Sequence, residues 1–235
     1  MEHEHSPEAI RARLTNAPRT SYLRDWVYGG IDGSVTTFAI VTGVGGASLS
    51  SRIILILGIA NLLADGFSMA ASNYLGTRTE IQEAEALRAI EQRHIESTAE
   101  GEREEVRQIF AAKGFAGDDL ERAVKIVTSD HTRWIDLMLA EEYGLARATR
   151  SATAAALATF SAFLVCGLVP LLPFLLRLPN AFALSIVMTG CAFFLIGSAR
   201  SKWLLLSWWR AGAETLALGA IAAALAYGAG RWIAG

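Results

Sequence analysis

Cysteine is nearly absent: Cys166 and Cys191 are the only two in 235 residues, and both lie in apolar runs. They read as small core residues, offering neither a disulfide framework nor a cysteine metal site. A glycine-rich phosphate loop, a nucleophile elbow and a basic–aromatic patch are all missing, which leaves no nucleic-acid partner to expect. Residues 1–24 contain no apolar core ahead of a cleavage site, so no signal peptide is expected. Charge is the scarcest commodity over long stretches. Residues 26–76 hold three charged side chains (Asp32, Arg52 and Asp65) and residues 151–235 hold six, whereas 27 of the 44 lie within 77–150. A soluble globule keeps charge along its whole length, because every element shows a face to water. A disordered chain lacks such apolar runs. Both classes are excluded.

Crossing the hydrocarbon layer takes a helix of about 20 mostly apolar residues. Five stretches meet or approach this: 27–49, 53–75, 152–176, 181–198 and 211–229. The first is the least apolar, with Gly29, Gly30, Gly33, Gly43, Gly45 and Gly46 beside Asp32. Such small residues suit close helix contact in lipid; the competing reading is a soluble glycine-rich loop. Pro170 and Pro173 predict a kink in the third span. Arg11, Arg13, Arg19 and Arg24 precede the first span, and Arg200, Lys202 and Arg210 join the fourth to the fifth. The opposite side receives Arg52, Arg177 and Arg231. Basic loops face the cytoplasm, so the N-terminus and the long middle segment are expected there, with Trp203, Trp208 and Trp209 at the interface. Glu214 reads as interfacial.

The reading is an all-α integral membrane protein with five transmembrane helices per subunit. Its expected parts are a cytoplasmic leader (1–24), spans one and two (25–76), a cytoplasmic helical domain (77–147) and spans three to five (148–235). Within the insert, helices are predicted over 79–98, 101–113 with Gly114 as the C-terminal cap, about 118–127 with Asp118 or Asp119 as the N-cap, and 130–143. The apolar sets Val106, Ile109, Phe110 and Leu120, Val124, Val127 recur at helical spacing.

Two sets of residues carry candidate chemistry. In the insert, Glu91 and His94 are three apart, Glu102 and Glu105 repeat that spacing, and Met138 and Glu142 are four apart, so each pair can meet one ion. Oxygen and nitrogen donors with one soft sulfur suit Fe2+, Mn2+, Co2+ or Zn2+ rather than Ca2+ or Cu+. The plain alternative is a set of solvated acidic helix faces. In the spans, Asp32 and Asp65 are ionisable groups where a charge costs at least about 2.5–3.5 kcal/mol, which marks an ion or proton path. Asn61, Asp65, Met69 and Asn73 form a polar stripe at four-residue steps. The alternative is that Asp32, near the cytoplasmic end of its span, merely caps or snorkels, and Met69 taken alone reads as packing. His3 and His5 read as part of a polar terminus, and His131 and Trp134 as serving the bundle's own packing.

The run DWVYGGIDGSVTTFAIVTGVGG, followed by GIANLLADGFSMAASNYLGTRTE, resembles the first two spans of the vacuolar iron transporter family. The likeness continues through the Glu-rich insert, MLAEEYGL and GLVPLLPF. It implies a proton-coupled antiporter moving Fe2+, often Mn2+ as well, out of the cytosol. It also implies a homodimer with the ion path at its interface. The family's translocation aspartate and methionine fall on Asp32 and Met69, and its insert ligands on Glu91, Glu102, Glu105, Met138 and Glu142. His94 stands where the plant type has a glutamate. Asn61 stands where it has a span-two glutamate, and Asp65 is inferred to supply that carboxylate. No prosthetic group is expected; the metal is cargo. The rival readings are a di-iron ferroxidase built on Glu91-x-x-His94, which lacks its second Glu-x-x-His unit, and a membrane iron-storage or sensing protein. The location implied is a bacterial inner membrane, or an organelle membrane in a eukaryote.

Overall fold

A computed structural model describes residues 4–15, 20–145, 150–201 and 207–235, with no strand among them. His3, Arg19, Lys202 and Trp203 lie outside the described residues. The helices are α1 (Pro7–Thr15), α2 (Leu23–Gly46), α3 (Ser51–Ala112), α4 (Gly117–Thr128), α5 (His131–Glu141), α6 (Ala152–Leu168), α7 (Leu172–Leu175), α8 (Ala181–Arg200) and α9 (Trp208–Ala234). They form two compact units: residues 18–75 with 151–235, and residues 1–17 with 76–150. The division falls inside α3.

In the first unit, α2 is the central element, lying against α6, α8 and α9. It is a helix where a glycine-rich loop was the alternative, and its glycines explain both its weak apolarity and its position. A Cβ at Gly29 would fall 2.3 Å from the Thr159 carbonyl oxygen, and one at Gly33 would fall 2.4 Å from that of Phe163. These two positions, one turn apart, let the α2 and α6 backbones touch. Gly46 plays the same part toward Tyr227 on α9. Around this seam Phe38, Val41, Val44, Ile54, Leu62, Phe163, Leu171, Phe174 and Phe193 form the apolar core.

Among the described residues, four helical stretches are long and apolar enough to cross a membrane: α3 through its N-terminal part, Ala152–Leu175, α8 and α9. The 24-residue α2 is long enough but less apolar. As the prolines predict, the 152–175 stretch is broken. A 3-10 turn at Val169–Leu171 separates α6 from the single-turn α7, because proline cannot donate to the preceding turn. Glu214 of α9 pairs with Arg200 of α8 at 2.7 Å, and Trp208 and Trp209 stand exposed at the start of α9.

The second unit has its own core of Ile95, Val106, Val124, Trp134, Ile135, Met138 and Leu139. Each such side chain contributes about 1.5–3 kcal/mol when fully buried. The predicted break between the first two insert helices is a kink within α3, at Thr98 (φ −137°, ψ 41°). The hydroxyls of Ser97 and Thr98 donate to the Arg93 and His94 carbonyls at 2.8 and 3.0 Å, a pattern that bends helices. Gly114, at φ 93°, ends α3 as expected, with Phe115 N–H donating to the Phe110 carbonyl. Asp118 and Asp119 do not cap α4. The cap position is Ala116, and both acids sit in the first turn, where they favour the positive end of the helix dipole. Asp130 caps α5 by accepting from Arg133 N–H. Trp134 is buried beneath the Arg103 guanidinium, in the structural role expected of it.

Candidate metal centre

The Thr98 bend assembles the insert's candidate site. On a straight helix, His94 and Glu102 would stand about 12 Å apart along the axis. Instead, His94 Nδ1 lies 3.4 Å from Glu102 Oε1 and 4.0 Å from Glu91 Oε1. One donor atom from each of Glu91, His94 and Glu102 fits within a 4.8 Å span, the spacing a shared ion needs.

Burial makes the arrangement chemically pointed. Glu91 is 1% and Glu102 5% exposed, while the His94 side chain keeps 50% of its surface in solvent and gives the site a wet side. Glu91 Oε2 and Glu102 Oε2 are buried with no hydrogen-bond partner among the described residues. A buried, unsatisfied carboxylate oxygen is costly. A cation among these three donors removes that cost twice over.

The remaining candidates gather round electrostatically. Burial, then the charges of Glu105 and Glu91, push the Glu102 carboxyl up to about 7; His94 opposes this and Glu142 adds to it. Burial, followed by Glu142 and Glu91, raises Glu105 as well, again with His94 opposing. Glu105 and Glu142 are exposed at the edge of the cluster. Met138 is wholly buried in the unit's core, and its carbonyl accepts from Glu142 N–H at 2.9 Å.

Residue choice by spacing missed Tyr143. Its hydroxyl donates to Glu91 Oε1 at 3.0 Å, and burial together with the carboxylates of Glu91 and Glu142 pushes the phenol well up. Its only signal in the sequence is adjacency to Glu142.

Glu102 makes the apo insert pH-sensitive in a definite sense. Its carboxyl titrates near 7 in the fold against an ordinary 4.5, so the folded state holds an extra proton between those values. Stability is therefore highest below about 4.5 as far as this group is concerned. It falls as pH rises through the window and levels off above about 7. Metal, which needs the deprotonated carboxylate, has the opposite preference. Thermal melts of the whole protein from pH 5 to 8 test this. The Mn2+-induced rise in the insert's transition should grow with pH; a rise independent of pH contradicts the assignment.

In the other unit, Asp32 on α2 and Asp65 on α3 are both partly buried. Asn61 Nδ2 donates to Thr36 Oγ1 at 3.3 Å, and that hydroxyl donates to the Asp32 carbonyl at 2.9 Å. Asp32, Asp65 and Asn61 thus share the α2–α3 seam. Met69 lines a different feature, a cleft of about 400 Å³ with Arg24, Asp25, Tyr28, Ser72, Asn73 and Thr159. Asn73, fourth in the predicted stripe, serves the fold. Its amide lies 3.0 Å from Asp25 Oδ1, 2.7 Å from Thr159 Oγ1 and 3.3 Å from the Ala155 carbonyl. Asp25 is a buried carboxylate that sequence reasoning passed over, because it precedes the first apolar run.

Comparison with known proteins adds an independent line. A family model described as the VIT family matches residues 23–231. The chain is 32% identical over 208 residues to a vacuolar iron transporter 1 of Arabidopsis thaliana, covering 87% of this chain and 83% of that one. It is 32% identical over 195 residues to a vacuolar iron transporter of Toxoplasma gondii, covering 78% and 65%. Against one from Centaurea cyanus the figures are 31% over 210 residues, 88% and 85%.

Proposed function

The chain belongs to the VIT family, and from that premise we propose that it is an integral membrane antiporter. It exports Fe2+, and Mn2+ as well, from the cytosol in exchange for protons. The observation that carries the reading is the buried Glu91–His94–Glu102 group, with its two partnerless carboxylate oxygens, in a chain whose relatives bear the name of iron transporters. Five spans result when α2 is counted with the four more apolar stretches. The basic leader and the basic 200–210 connection place the N-terminus and the insert in the cytoplasm.

Transport runs in two stages. The insert, with 16 acidic residues against 11 basic within 77–150, attracts divalent cations and holds them on Glu91, His94, Glu102, Glu105 and Glu142, with the Met138 thioether as a sixth, soft donor. The ion then passes to a path at the interface of a homodimer. There Asp32 and Asp65 replace lost hydration with charge, while Asn61 and Met69 contribute neutral donors. A carboxylate holding a proton has lost the charge that holds the metal, so each binds one or the other, and this exclusion is the coupling. Glu102-x-x-Glu105 stands where a di-iron oxidase needs a second Glu-x-x-His, which favours binding over oxidation. Membrane insertion follows from the apolar helices. Orientation predicts a bacterial inner membrane or the organelle membrane of the named relatives.

Reconstitution tests the reading. Vesicles containing the purified protein should take up Fe2+ and Mn2+ well above protein-free vesicles. Equal rates in the two would refute it.

A further inference from the structure

Tyr143 lies outside every ligand pair that spacing selects, yet the fold places it against the insert centre. α5 ends at Glu141, and Gly144 at φ 64° reverses the chain, with Leu145 N–H donating to the Leu139 carbonyl at 2.9 Å. That reversal lays the Tyr143 ring against the Ile95–Val106–Trp134–Met138 core. The hydroxyl then reaches Glu91 Oε1 at 3.0 Å across 52 residues of sequence. Glu91 is left with one oxygen, Oε1, held by the phenol, and the other, Oε2, buried without a partner.

We infer that Tyr143 is a positioning residue of the insert centre: by holding Glu91 Oε1, the oxygen that lies 4.0 Å from His94 Nδ1, it fixes the orientation in which the Glu91 carboxylate meets the metal. Ligand carboxylates are oriented by such outer partners, and removing one typically weakens metal binding about 10-fold to 100-fold. Here the partner also ties the end of α5, which carries Glu142, to the α3 segment that carries Glu91 and His94. One hydroxyl thereby sets both the orientation of the Glu91 carboxylate and the separation of the two ligand-bearing segments. With the phenol gone, Glu91 Oε1 is released and the carboxylate is free to bind through both oxygens. Metal coordination number changes, and not affinity alone.

The inference rests on reading the insert as a metal centre, and Co2+ titration of the full-length protein in detergent separates the two. Co2+ d–d bands report coordination number, and the Glu102→Gln, Glu105→Gln double variant supplies the spectrum without an insert site. Wild type is expected to show bands that this variant lacks. Tyr143→Phe should bind Co2+ 10-fold to 100-fold more weakly with less intense bands, while the metal-free protein stays folded and melts somewhat below wild type because Glu91 Oε1 loses its partner. Tyr143→Leu, which also removes the ring, should lose affinity to the same extent as Tyr143→Phe. Unchanged affinity and bands in Tyr143→Phe overturn the inference. So does a graded loss in which Leu is weak and Phe matches wild type, the pattern of a packing role. If wild type and the double variant give identical spectra, the metal-centre reading itself fails and the inference with it.

Discussion

Replacing Asp32 by Asn is expected to abolish metal flux while leaving a folded protein. Asn keeps the size and polarity of the side chain, and the seam around it survives because Thr36 donates to the Asp32 backbone carbonyl, not to its carboxylate. What disappears is the charge. A divalent ion leaving water needs anionic partners, and removing one member of a desolvated charged pair costs about 3 kcal/mol, a factor of roughly 100. On the proposed mechanism, a proton-carrying group goes with it. Uptake of Mn2+ into vesicles should therefore fall at least to the order of 1% of wild type, with the detergent-solubilised variant still eluting as a single species of unchanged size. Retention of more than half the wild-type rate would remove Asp32 from the path.

Replacing Gly33 by Val is expected to cost the fold itself. A Cβ there meets the Phe163 backbone at 2.4 Å, and no rotamer change relieves a clash with a carbonyl oxygen. Overpacking costs about 1–3 kcal/mol even where neighbouring side chains can move; here the α2 and α6 backbones must separate, so the loss exceeds that. Gly76 provides the contrast within α3. Nothing lies within 4 Å of a Cβ built on it, so Gly76→Ala should be neutral or stabilise by up to about 1 kcal/mol through helix propensity. Thermal unfolding in detergent distinguishes the pair. A Gly33→Val protein that melts like wild type would refute the close α2–α6 contact.

Much of this architecture is legible in the sequence, and the exceptions share a physical cause. Apolar length locates the four stretches able to cross a membrane, and Pro170 and Pro173 mark the break between α6 and α7 as Gly114 marks the end of α3, through local backbone chemistry. The pairs Glu91/His94 and Glu102/Glu105 are likewise visible as helical spacing. Their convergence is not. It depends on Ser97 and Thr98 turning their hydroxyls back onto the α3 carbonyls, where the same residues in another context cap or simply face water. The Asn73 contacts with Asp25 and Thr159 span 48 and 86 residues, and no local pattern announces them. Asp118 and Asp119 mislead because an acid in a first turn and an acid at a cap look alike until the backbone of Ala116 is seen in its extended conformation. The glycines of α2 depress its hydropathy and make it the least convincing span. They are also what brings it closest to its neighbours.

The claim that matters most is exchange of metal for protons, and simultaneous measurement of both species tests it most directly. Wild-type protein is reconstituted in vesicles with an acidic interior and a trapped pH indicator, and Fe2+ is supplied outside at neutral pH under reducing conditions. The account predicts that Fe2+ accumulates inside while the lumen becomes more alkaline, and that both signals slow together when the pH gradient is collapsed. Fe2+ uptake with no accompanying change in luminal pH, at a rate indifferent to the gradient, would contradict it.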